Sequence, residues 1–99
     1  MRHKSFRFAH LRLDGVPVAV HYGDLLVAQP DDTAALDWEV VLTTMDELAL
    51  EPAAYDMHLE IGDGRQMWGQ ALLVRSDGRA HVFRGAMAIN GLAADEFPV

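Results

Sequence analysis

Four dipeptides punctuate this chain at hairpin-like intervals: Asp14-Gly15, Gly23-Asp24, Asp63-Gly64 and Asp77-Gly78. Asp-Gly favours a two-residue turn because both central positions accept positive φ. Short apolar runs fill the intervals, a pattern that predicts a sandwich or a barrel. Taking Asp77-Gly78 as a two-residue turn sets Leu72 opposite Phe83 and Trp68 opposite Met87. Treating Asp63-Gly64 the same way sets Ile61 opposite Gln66, Leu59 opposite Trp68 and Tyr55 opposite Leu72. The two registers agree. Together they predict a C-terminal three-stranded antiparallel meander. Its inner face would carry Tyr55, Met57, Leu59, Ile61, Trp68, Leu72, Val74, Phe83, Met87 and Ile89. A slip of one residue in either turn would invert a whole strand.

The N-terminal part reads as another hairpin. Asp14-Gly15 as its turn pairs Leu13 with Val16 and Leu11 with Val18, and Val20 and Tyr22 continue that face. Phe6 and Phe8 fall on the opposite phase, which a bulge near Ala9-His10 would reconcile. Pro17 lacks an amide donor, so its strand is an edge or is paired on one side only there. Residues 30–50 admit two readings. Ala34, Trp38, Val41, Met45 and Leu48 recur at helical spacing. Against that, residues 38–44 are rich in β-favouring types, which favours a strand over Trp38–Thr44. The expected fold is mainly β, a small barrel or two-layer sandwich. An α+β fold with a helix over about 33–50 is the alternative.

The 99-residue length suits a single domain over 1–99. The apolar share, 51 %, is too high for a disordered chain. No apolar run approaches the roughly 20 residues of a membrane-spanning helix. The start is basic and lacks the apolar middle region of a secretory signal. A cytoplasmic protein is therefore expected. Without cysteine there is no disulfide framework and no Cys-type zinc site.

The charge is uneven. Residues 1–12 carry Arg2, Lys4, Arg7 and Arg12 and no acid, and residues 13–64 carry twelve acids and no Lys or Arg. The net charge is −7. Either the basic ends fold back on the acidic middle, or the acids form an outward negative face. Such a face repels nucleic acid and attracts a basic protein. Asp31, Asp32, Asp37, Glu39, Asp46 and Glu47 are the candidate partner-binding residues of a non-catalytic interaction module, in an immunity, inhibitor or assembly role. The predicted outer sheet face of Met67, Gly69, Ala71, Leu73, Ala86 and Ala88, with Val82, is apolar. It would need covering by other parts of the chain or by a second copy, which suggests a homo-oligomer.

Catalytic signals are thin, and no cofactor is expected. Asp56, His58 and Glu60 alternate, so a strand places them on one face, where they could bind a metal or move protons. The neighbouring strands offer that face no further ligand. His81 is expected at the tip of the apolar face. The two serines, Ser5 and Ser76, lack a nucleophile context. Gly62-Asp63-Gly64 with Arg65 superficially resembles an anion-holding loop but fits a hairpin turn better. Trp38, Tyr55, Trp68 and Phe83 could line a ligand cavity, although small barrels normally fill their interiors with side chains.

Overall fold

The structure, a computed structural model, describes residues 1–33, 35–93 and 96. Its six strands are β1 (Arg2–Leu13), β2 (Val16–Gln29), β3 (Asp37–Thr44), β4 (Ala54–Ile61), β5 (Gln66–Asp77) and β6 (Ala80–Gly85). All neighbours are antiparallel, in the order β1-β2-β3-β6-β5-β4, and β4 returns to β1 to close a barrel. The last three strands form the expected meander. β3 precedes them in sequence yet lies beside β6, which makes a Greek key. No helix occurs among the described residues, so the α+β alternative is overturned. In its place stands β3, because Trp38, Val40 and Leu42 alternate inward. Val41 and Met45, two of the helix-spaced positions, are exposed. Ala34, another of them, lies outside the described residues.

The first hairpin has the register read from sequence. Leu13 pairs with Val16 and Leu11 with Val18. Asp14 and Gly15 both have positive φ, 51° and 80°, as a type I′ turn requires. The β1 bulge falls between Phe8 and His10. It swings Phe6 and Phe8 to the same side as Leu11 and Leu13, and all four are buried. Around Pro17, β2 pairs only with β1, since its ladder to β3 begins at Val20. A second irregularity between Val20 and Tyr22 turns Tyr22 out to solvent, against expectation. The inward phase resumes at Gly23, Leu25 and Val27. Gly23 makes room for Phe8: a Cβ there would sit 2.4 Å from its ring.

The β4–β5 connection departs from the expected register by one residue. Its loop has three residues, Gly62, Asp63 and Gly64, and Ile61 and Arg65 close it through Ile61 N–H to the Arg65 carbonyl (3.0 Å). Gly64 takes φ 92°, the left-handed position that ends such three-residue loops. Leu59 therefore faces Met67, His58 faces Trp68 and Tyr55 faces Ala71. This inverts the early part of β5. Met67 and Ala71, expected outside, are fully buried, whereas Trp68 is 46 % exposed and Leu72 48 %. The β5–β6 turn is Gly78-Arg79 rather than the expected Asp77-Gly78, with Asp77 opposite Ala80, and a bulge between Leu73 and Arg75 then sets Leu73, not Leu72, opposite Phe83. Val74 and Met87 also face solvent. Trp68 and the fully buried Phe83 thus project to opposite sides of the ribbon. β4 keeps its expected phase, with Met57, Leu59 and Ile61 inside.

Gly23→Ala forces a methyl group into the buried Phe8 ring. Overpacking of this kind costs about 1–3 kcal/mol. Urea unfolding should show a loss of that size, and Phe8→Leu in the same background should return part of it.

Candidate functional site

All six candidate acids are exposed. Asp37 and Glu39 alternate with inward Trp38 and Val40, so the pleat of β3 aims them outward. Asp31 and Asp32 sit in the turn before β3, and Asp46 and Glu47 in the connection after it. Eight residues of strand span about 26 Å, so the acids form a line rather than a knot. Asp31 pairs with the N-terminal amino group. Among the described residues none of Asp32, Asp37, Glu39, Asp46 and Glu47 makes an ion pair.

The basic start neutralises part of the acidic middle. Arg7 Nε meets Asp24 Oδ1 at 2.8 Å, and its guanidinium lies 4.0 Å from the Tyr22 ring centre. The Tyr22 hydroxyl donates to Asp24 (2.8 Å) and accepts from Arg7 (2.7 Å). Those two donors hold the Asp24 carboxyl below its usual range against the opposing effect of desolvation.

The loop that resembled an anion site already holds an anion, the protein's own Glu96. Arg65 grips Glu96 with both terminal nitrogens (2.5 and 3.1 Å) and reaches Asp63 through Nε (2.9 Å). Lys4 adds a third contact to Glu96 at 3.1 Å. Hydrogen bonding from Arg65 holds the Glu96 carboxyl at about 2.

Asp56, His58 and Glu60 do share the outer face of β4, but they do not converge. His58 Nε2–H donates to the Gln66 side-chain oxygen (2.7 Å), and Gln66 donates in turn to Glu60 (2.9 Å). The His58 ring stacks on Trp68, with centroids 6.0 Å apart. Among the described residues no group of three His, Asp or Glu side chains is placed to hold a metal.

The aromatic residues offered as cavity lining are dispersed. Phe83 and Trp38 are core, and the Trp38 indole N–H donates to the Met87 carbonyl (2.7 Å). Tyr55 packs edge-on against Phe83. Trp68 lies outside, in an open groove of about 600 Å³ with Arg12, Asp56, His58 and Met87.

The expected self-association face is also dispersed. Met67 and Ala71 are interior, Gly69 and Leu73 are half-buried, and Ala86 and Ala88 lie exposed beyond β6. The inverted strand leaves a different apolar strip on the outside. Leu72 and Val74 are exposed there, near Val41 and half-buried Val82, which pair across β3 and β6.

Sequence reasoning missed a polar relay inside the barrel end. His81, 1 % exposed, lies between Ser76 and Thr44. The Thr44 hydroxyl has one proton, which goes to the Asp46 carbonyl at 2.6 Å, a group that can only accept. His81 Nε2–H therefore donates to Thr44 Oγ1 (3.3 Å), and Nδ1 accepts from the Ser76 hydroxyl (2.8 Å). The second ring nitrogen meets a hydroxyl rather than the carboxylate of a hydrolase triad. The relay satisfies a buried imidazole. Its only outward signal in the sequence was the alternation of β6, which turns His81 and Phe83 the same way.

No family model matches the chain, and neither a curated protein nor a solved structure matches it significantly.

Burial lowers the His81 pKa below the ordinary 6.5, so the folded state keeps this ring neutral. A depressed folded pKa contributes stability that is present above pH 6.5 and is lost as pH falls through the folded value. Urea midpoints should therefore fall between pH 7 and pH 5 in the native protein. His81→Gln should be less stable at pH 7 and show a flatter profile over that range.

Proposed function

We propose that this protein is a non-catalytic interaction module that docks a basic protein partner through the acidic line along β3, in an immunity, inhibitor or assembly role. The observation that carries this reading is the set of five exposed carboxylates, Asp32, Asp37, Glu39, Asp46 and Glu47, without ion pairs among the described residues. Carboxylates in this state speed encounter with a cationic surface and select against anionic ones. The barrel supplies a rigid backing, because β3 is paired on both sides. Protein interfaces also need apolar area within a polar rim. Exposed Val41, two residues after Glu39 on the outer face of β3, and half-buried Val82 opposite it supply such area, with Leu72 one strand further on beyond Arg84.

The same strip favours a second reading, self-association face to face through Leu72, Val74, Val82 and Val41. The net charge of −7 opposes it at low salt. Sedimentation at high micromolar protein in 0.5 M salt should show a dimer that Leu72→Lys abolishes. A monomer under those conditions removes this second reading and leaves the first intact.

The main reading is tested by affinity capture from the cells of origin, using native protein beside the reversals Asp31→Lys/Asp32→Lys and Asp46→Lys/Glu47→Lys. The specific partner should dissociate as salt rises, and each reversal should weaken it by about tenfold. Equal yields from native protein and both reversals would overturn the reading.

A further inference from the structure

At the end of the barrel where β3 gives way to β4, a cleft of about 380 Å³ opens between the first hairpin and residues 46–50. That volume lies at the small end of the roughly 300–1,000 Å³ range of ligand sites, room for side chains rather than for a domain. Its walls are apolar: Leu13, Val16 and Val18 on one side, Leu48 and Leu50 on the other, with Tyr55 at the base of the meander. Its charged rim is entirely acidic, from Asp14, Asp46 and Glu47, and no Lys, Arg or His is among its lining residues. The cleft is held open by backbone bonds on both flanks. Met45 N–H reaches the Ala19 carbonyl (3.0 Å), and Leu48 N–H reaches the Gly78 carbonyl (3.1 Å). Tyr55 is fixed by its hydroxyl on the Glu51 carbonyl (2.7 Å). Asp14 is partly spent on the Asp56 amide (2.8 Å), which leaves Asp46 and Glu47 as the outward charges.

We propose that this cleft is the anchor point for the partner and takes a short basic–apolar segment of it. An aliphatic side chain would seat against Leu13, Val18 and Leu48, and a neighbouring Lys or Arg would lie against Asp46 and Glu47. The proposal rests on the interaction-module reading and adds the chemistry of the segment recognised. Charge selects the occupant. An anionic ligand meets carboxylates alone at this rim, and a purely polar cation leaves the aliphatic walls wet. A residue pair that is apolar next to basic matches both features. A pre-formed cleft also spares the partner the cost of ordering it.

The test uses the whole protein with methyl-labelled Leu and Val, titrated with the capped peptide acetyl-Lys-Leu-Lys-amide and followed by NMR. The methyl signals of Leu13, Val18, Leu48 and Leu50 should shift saturably. Asp46→Asn/Glu47→Gln should weaken binding by about fivefold. Acetyl-Glu-Leu-Glu-amide should produce no shift, and acetyl-Lys-Gly-Lys-amide should bind more weakly than the leucine peptide. Equal responses to the basic and acidic peptides would overturn the proposal. So would shifts confined to the methyl signals of Leu26 and Val41, which flank Glu39 on the outer face, although that outcome leaves the acidic-surface reading standing. A protein that responds to neither basic peptide anywhere fails both.

Discussion

The barrel depends on one irregularity in β1. This strand must serve two neighbours, β2 along its length and β4 over its second half. A regular strand would send Phe6 and Phe8 to one side and Leu11 and Leu13 to the other. The break between Phe8 and His10 adds the residue that brings all four inward. Without it, either the aromatic pair or the leucine pair would face water. Fully burying one such side chain is worth about 1.5–3 kcal/mol, so two misplaced ones would remove much of a small domain's margin. Closure follows from the same break. Phe8 can then oppose Ile61, and Leu11 and Leu13 can oppose Leu59 and Met57.

Much of this was legible in residues alone. The β1–β2 register, the bulge, the one-sided pairing at Pro17 and the strand at 38–44 all followed from turn chemistry, alternation and β propensity. The failures lay in the turn signals: Gly23-Asp24 runs inside β2 instead of turning, the last hairpin turns at Gly78-Arg79, and the β4–β5 loop had the largest effect. Gly62-Asp63-Gly64 contains an Asp-Gly pair, yet it closes as a three-residue loop with only Gly64 at positive φ. Both loop lengths suit the same letters, and the choice between them shifts β5 by one position. The agreement between the two expected registers gave no protection, because the β5–β6 hairpin departed as well, turning at Gly78-Arg79 and bulging near Val74. Trp68 and Leu72 are as apolar as Met67 and Leu73, so composition could not show which set pointed inward.

The candidate site was legible to a different degree. Exposure of Asp31, Asp32, Asp37, Glu39, Asp46 and Glu47 followed from their chemistry, since lone carboxylates are rarely buried. Their arrangement as a line needed the fold. The cleft beyond β3 was invisible in sequence, because its walls come from segments about 30 residues apart that meet only after closure. The His81 relay was hidden for a related reason. Ser76 is a turn neighbour, whereas Thr44 is brought to the ring by the β3–β6 pairing.

That pairing also sets an order of events during synthesis. β3 hydrogen-bonds to β6, which emerges only after β4 and β5 have been made. Until then Trp38, Val40 and Leu42 belong to a sticky ribbon lacking one of its flanking strands, the kind of segment that seeds aggregation. Asp37 and Glu39 interrupt it at alternate positions, as gatekeeper charges do. The carboxylates that decorate the finished barrel thus stand at the alternate positions where charge opposes strand-to-strand association.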